Sequence, residues 1–130
     1  MSATVTHSTD ARDAATNAVT ALIGASGKLV FNPTGGSVAA PGTAIATLPF
    51  SATAFGASSS GIATANAITS DTNAVGGTVA FATFQTAASV AKVRCAVAAS
   101  GSDINMSNGL VVAAGDTVSC SALTYAALSQ

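Results

Sequence analysis

Apolar and polar positions follow two different rhythms along this chain. Between Ser8 and Gly24, Ala11, Ala15, Ala18, Val19, Leu22 and Ile23 recur at helical spacing and form a narrow, alanine-rich stripe. Ser8 or Thr9 can cap the helix start. Asp10 and Asp13 suit the positive end of its dipole, and Gly24 can end it. From Lys28 onward the rhythm changes to short β-branched runs separated by turn chemistry. The pattern predicts strands over residues 28–31, 44–50, 62–69, 78–86, 90–98, 110–112 and 117–126. The separators are Asn32-Pro33-Thr34-Gly35-Gly36, Ala40-Pro41-Gly42, Ser58 to Gly61, Gly76-Gly77, Ser100 to Asp103, Asn108-Gly109 and Gly115-Asp116.

Alternation is clearest near the end of the chain. Val93, Cys95 and Val97 oppose Lys92, Arg94 and Ala96; Val118, Cys120 and Ala122 oppose Ser119, Ser121, Leu123 and Tyr125. In the middle, Ile62 and Ile68 share one side while Ala63, Ala65 and Ala67 share the other, so a strand there is expected to be covered on both faces. Together these signals predict a mainly β protein: an antiparallel β-sandwich or jelly roll with one N-terminal α-helix. Residues 1–27 form the arm and helix, and residues 28–130 the β-sandwich domain.

Composition makes the core thin. Hydrophobic residues are 49% of the 130, yet aromatic residues are only 5% and tryptophan is absent. Most of the apolar count is alanine, whose methyl group removes little area from water. A domain of this kind gains stability by burying surface against copies of itself or a partner, so an oligomer is expected. Charged residues are 7%, against about a quarter in an ordinary soluble domain. All five acids are aspartate, and the net charge is −1. No basic run tracks a phosphate backbone, so no nucleic-acid partner is expected. No apolar run reaches the length of a membrane span, and the polar start lacks the pattern of a secretory signal, so the chain is expected to be made in the cytosol with no membrane partner.

The inventory for chemistry is short, and neither enzyme activity nor a cofactor is expected. His7 is the single histidine, with only Asp10 and Asp13 within helical reach. Solvation or capping explains it better than a metal site. Asp71, Asp103 and Asp116 sit beside Ser, Thr, Asn or Gly, where Asx-turns account for them. Ser70-Asp71-Thr72-Asn73 offers a single charged ligand, too few for calcium. No Gly-x-Ser-x-Gly elbow is present, and Gly35-Gly36 and Gly76-Gly77 lack the lysine of a phosphate loop. Cys95 and Cys120 fall on the apolar faces of two candidate neighbouring strands. Two buried thiols is the expected state; a disulfide between them is the alternative, disfavoured by cytosolic assembly. Ser2, Ala3, Thr4, Val5, Thr6 and His7 have no evident role in a core. They are expected to be a docking arm, laid along a neighbouring subunit as an added strand or packed back on the same domain.

The run from Gly61 to Ala74, GIATANAITSDTNA, resembles a segment of small structural proteins of tailed bacteriophages. Ser100-Gly101-Ser102-Asp103-Ile104-Asn105-Met106, Gly115-Asp116-Thr117-Val118-Ser119 and Leu123-Thr124-Tyr125 follow in the same order. The two cysteines and the charge-poor surface depart from that pattern. The resemblance implies a virion protein with a β-sandwich core and no catalytic residues. Its expected role is capsid decoration (cement): a homotrimer bound over junctions of the major capsid protein. A tail, neck or fibre-adaptor protein is the first alternative, and a host- or sugar-binding β module the second.

Overall fold

The computed structural model describes residues 5–101, 104–106 and 109–128. Of the expected docking arm, Ser2, Ala3 and Thr4 lie outside the described residues, as do Ser102, Asp103 and Asn108 of the expected turns. The helix α1 spans Thr9–Ile23. Ser8 caps it, its Oγ accepting from the Ala11 amide at 3.2 Å, and Gly24 ends it at φ 69°, where a side chain is disfavoured.

Among the described residues nine strands follow: β1 Lys28–Asn32, β2 Ala46–Pro49, β3 Ala63–Thr64, β4 Gly77–Thr78, β5 Phe81–Gln85, β6 Ala91–Ala98, β7 Ile104–Asn105, β8 Val111–Val112 and β9 Thr124–Tyr125. Five of them form one sheet in the order β2-β1-β5-β6-β7. Its pairs are antiparallel except β6 with β7, which is parallel. The ladders β3–β9 and β4–β8, joined by bridges at Phe50–Ile68, Phe55–Ala65 and Asp71–Val118, make a second layer of short pieces. The protein is thus mainly β with one N-terminal helix.

Register puts Leu29, Phe31, Ala46, Leu48, Ala82, Phe84 and Cys95 on one face of the large sheet. There they meet Phe50, Phe55, Ala63, Val112, Val118 and Leu123 in a single core, to which the helix adds Ile23. Phe84 is its hub, with ring centroids of Phe55, Phe50 and Tyr125 at 5.6, 5.9 and 5.9 Å. The opposite face is also covered. Val30, Asn32, Phe81, Thr83 and Gln85 are all buried there. Thr83 Oγ1 donates to Asn32 Oδ1 at 3.0 Å, and Gln85 Nε2 donates to Thr83 Oγ1 at 2.9 Å. Arg94 lies 4.3 Å over the Phe81 ring, and the 36–41 loop comes close to the tip of that ring at Gly36. A Cβ at Gly36 would stand 2.3 Å from the Pro41 carbonyl oxygen, so the loop requires glycine at that point.

The structure corrects several expectations. The helix does not bury its alanine stripe: Ala11 and Ala18 are exposed and Leu22 is 55% exposed, while Thr16 and Ile23 are buried. The reason is polar. Asp13 Oδ1 accepts from Ser58 Oγ at 2.8 Å and from the Gly61 amide at 2.7 Å. Thr16 Oγ1 donates to the Gly61 carbonyl at 2.8 Å and accepts from the Ala127 amide at 3.1 Å. Asn17 Oδ1 accepts from the Ser58 amide at 2.9 Å. The helix is therefore clasped to the 58–61 turn by hydrogen bonds, and Asp13 lies past the first turn instead of at the helix start.

Residues 78–86 are split between β4 and β5. Residues 117–126 are not one strand: only Val118 and Thr124–Tyr125 pair. Ala122 is exposed and Leu123 buried, the reverse of the expected alternation.

Candidate functional site

The aspartates were the first candidates for chemistry, and three of the four described ones are held by the backbone. Asp71 Oδ1 accepts from the Asn73 amide in an Asx-turn, and Oδ2 accepts from the Thr47 amide, both at 2.9 Å. That second bond adds to the backbone bonds that Thr69 and Val75 make along the same side of β2, to Pro49 and Ile45. Asp116 Oδ2 accepts from the Ala113 amide at 2.9 Å within the β8 turn. Asp13 serves the clasp, and Asp10 stands in the first helical turn. His7 is exposed ahead of the helix. Among the described residues, no three His, Cys, Asp or Glu side chains gather as a metal site would need.

Cys95 and Cys120 are both thiols, not halves of a disulfide. Cys95 is buried on β6, between β5 and β7, whereas Cys120 is half-buried outside any strand. They are not on neighbouring strands, so the register that would have bridged them does not exist. Burial pushes the Cys120 thiol above its ordinary value of 9.0, outweighing the Ala122 amide, whose hydrogen bond to Sγ favours the thiolate. Burial also pushes Tyr125 above 10.0, with repulsion from the Cys95 thiolate adding to it.

Both groups hold their protons more tightly folded than unfolded. The stability each contributes is complete below its unfolded value and is lost as pH rises through the folded one. Urea midpoints are therefore expected to fall as pH rises past 9.0, and again past 10.0. Cys120→Ser should diminish the first stage and leave the second. A midpoint flat across that range would contradict the burial of both groups.

The most unusual local feature is the segment 119–122. The β3–β9 pairing reaches Ala65, whose amide donates to the Leu123 carbonyl at 2.8 Å, and contact resumes at the Asp71–Val118 bridge. Between these points the facing residues turn away. The Asn66 amide donates to Ala54, the Thr69 amide to Pro49, and Ile68 bridges Phe50. Only Ser70 Oγ still reaches across, to Ser119 Oγ at 3.0 Å. Among the described residues, the backbone amides of Ser119, Cys120 and Ser121 donate to no protein group, and the Ala122 amide is directed at the Cys120 Sγ.

A cleft borders this segment on either side. The larger, about 590 Å³, has Phe31, Ile104, Val112 and Val118 in its lining; the smaller, about 320 Å³, lies against Ala65–Ile68. Most lining side chains are apolar, with Thr117, Ser119, Ser121 and Thr124 among them, and Asp116 is the only charged residue among the described residues lining either cleft. The segment presents backbone groups along both clefts. It can hydrogen-bond an extended chain.

Phe31, the aromatic residue in the lining of the larger cleft, is buried. Phe55 is buried against Phe50 and Phe84, and Tyr125 packs its ring on Phe84. Compared with known proteins, the chain matches no family model, no curated protein and no solved structure. Sequence reasoning missed the 119–122 segment because its alternation was that of a paired strand. The Ser-Cys-Ser-Ala composition, small and uncharged, was the one available hint.

Proposed function

We propose that the chain is a non-enzymatic structural protein of a virus particle: a capsid decoration protein that binds over junctions between major capsid subunits. The observation that carries this reading is the engagement of the carboxylates. Asp13, Asp71 and Asp116 each accept from backbone amides and tie loops together, which leaves them committed to architecture. The surface supports a docking role. It is nearly uncharged, and it carries separate exposed apolar residues, Leu22, Ile62, Val75, Val90 and Val111. Each of these would add about 1–3 kcal/mol if fully covered by a partner. Many modest contacts of this kind, repeated over a shell, sum through multivalency. The resemblance of residues 61–74 to small phage structural proteins points the same way.

Binding built on such contacts tolerates salt. When the purified chain is sedimented with empty phage heads that lack it, saturable co-sedimentation is expected. It should be unchanged from about 0.1 M to about 1 M salt, over which the screening length falls from about 10 to about 3 Å. Absence of binding, or binding abolished by salt, would overturn the proposal.

A further inference from the structure

We infer that the segment 119–122 receives, as an added strand, the segment ahead of helix α1 from a second copy of this chain. The inference extends the docking reading above by naming an interface between copies. The acceptor is a four-residue stretch in which the amides of Ser119, Cys120 and Ser121 lack protein partners, bordered by a cleft on each side. An incoming strand on either side would take up hydrogen bonds that the 66–69 segment gives to residues 49–54 instead.

Three observations select the donor. Val5, Thr6, His7 and Ser8 are exposed and non-helical, and Ser8 is extended at φ −62°, ψ 161°. Thr4-Val5-Thr6 is β-branched at every position, the composition that pleated strands favour. Charge also matches: no charged side chain occurs from Met1 to Thr9, so an acceptor of Ser-Cys-Ser-Ala meets neither repulsion nor an unpaired ion on docking. Four residues of strand span about 13 Å at about 3.3 Å each, so Val5–Ser8 and 119–122 are equal in reach. Val5, 39% exposed in a single copy, gains apolar cover if it enters the larger cleft, whose floor holds Val112 and Val118.

Cys120 lies in the acceptor and supplies the probe. In a Cys95→Ala background, Val5→Cys and Thr6→Cys place a thiol on one or the other face of the donor. Mild oxidation is expected to give a covalent dimer with at least one of them, and adding Cys120→Ser should abolish it. Removal of residues 2–7 should leave the melting temperature unchanged while concentration-dependent association, followed by sedimentation velocity, is lost. A bridge within one chain would overturn the inference by showing that the arm folds back on its own domain. A dimer that survives Cys120→Ser, or no cross-link with either variant, would overturn it as well. These measurements need no virus particle, so they fail or succeed independently of the decoration role.

Discussion

Phe84→Ala is expected to cost about 3–5 kcal/mol, the range for emptying a buried aromatic site. Phe84 is 1% exposed, and its ring touches those of Phe50, Phe55 and Tyr125. These four rings are most of the aromatic content of a chain whose remaining core is largely alanine and valine. Its cross-strand neighbours are Leu29 and Val93, and truncation would also take from three rings their shared contact, so the cost falls toward the upper end. A small domain has about 5–15 kcal/mol in total, and the variant should lose a large part of it. The urea midpoint of Phe84→Ala should drop far below that of Phe81→Ala. Phe81, equally buried, lies on the other face of the sheet, under Arg94 and a loop that can settle after truncation. Equal losses would contradict the assignment of Phe84 as the hub.

Asp13→Ala is expected to cost about 2–3 kcal/mol. It removes one charged acceptor from both Ser58 Oγ and the Gly61 amide, and hydrogen bonds to charged groups contribute about 1.5–3 kcal/mol. Asp13→Asn keeps an oxygen in place and should cost less than half as much. Hydrogen exchange at Gly61 distinguishes this role from a general effect on the helix. The Gly61 amide should exchange much faster in Asp13→Ala, while amides in the middle of β6 change little. A uniform change along α1, with Gly61 still protected, would show that the carboxylate acts on the helix alone.

Much of the fold was legible in the sequence where neighbouring residues determine the outcome. Ser8 and Gly24 bound the helix because capping is local. The opposition of Val93, Cys95 and Val97 to Lys92, Arg94 and Ala96 gave the faces of β6 correctly, because one side of that strand meets the core. What could not be read depends on partners far along the chain. Asp13 and Gly61 are 48 positions apart, and nothing in the helix signals that its polar residues are the contact face. Asn32, Thr83 and Gln85 are polar strand residues, a type usually exposed, and here they bury one another. Ile104–Asn105 is too short to announce a strand, and its parallel pairing with Val97 and Ala98 depends on the loop between. Residues 117–126 show the converse. Their alternation reports a capacity to pair, and the 66–69 segment that should have answered it is drawn to residues 49–54 instead.

The same distinction applies to function. The expectation of no catalysis came from the residue inventory alone, whereas the roles of Asp13, Asp71 and Asp116 as acceptors of backbone amides appear only in the fold. The decoration role is most directly tested by labelling intact particles of the virus that encodes the chain with an antibody to it and viewing them in negative stain. The account predicts label spread over the faces of the head in many copies per particle. Label confined to the tail or neck, or particles that carry none, would contradict it.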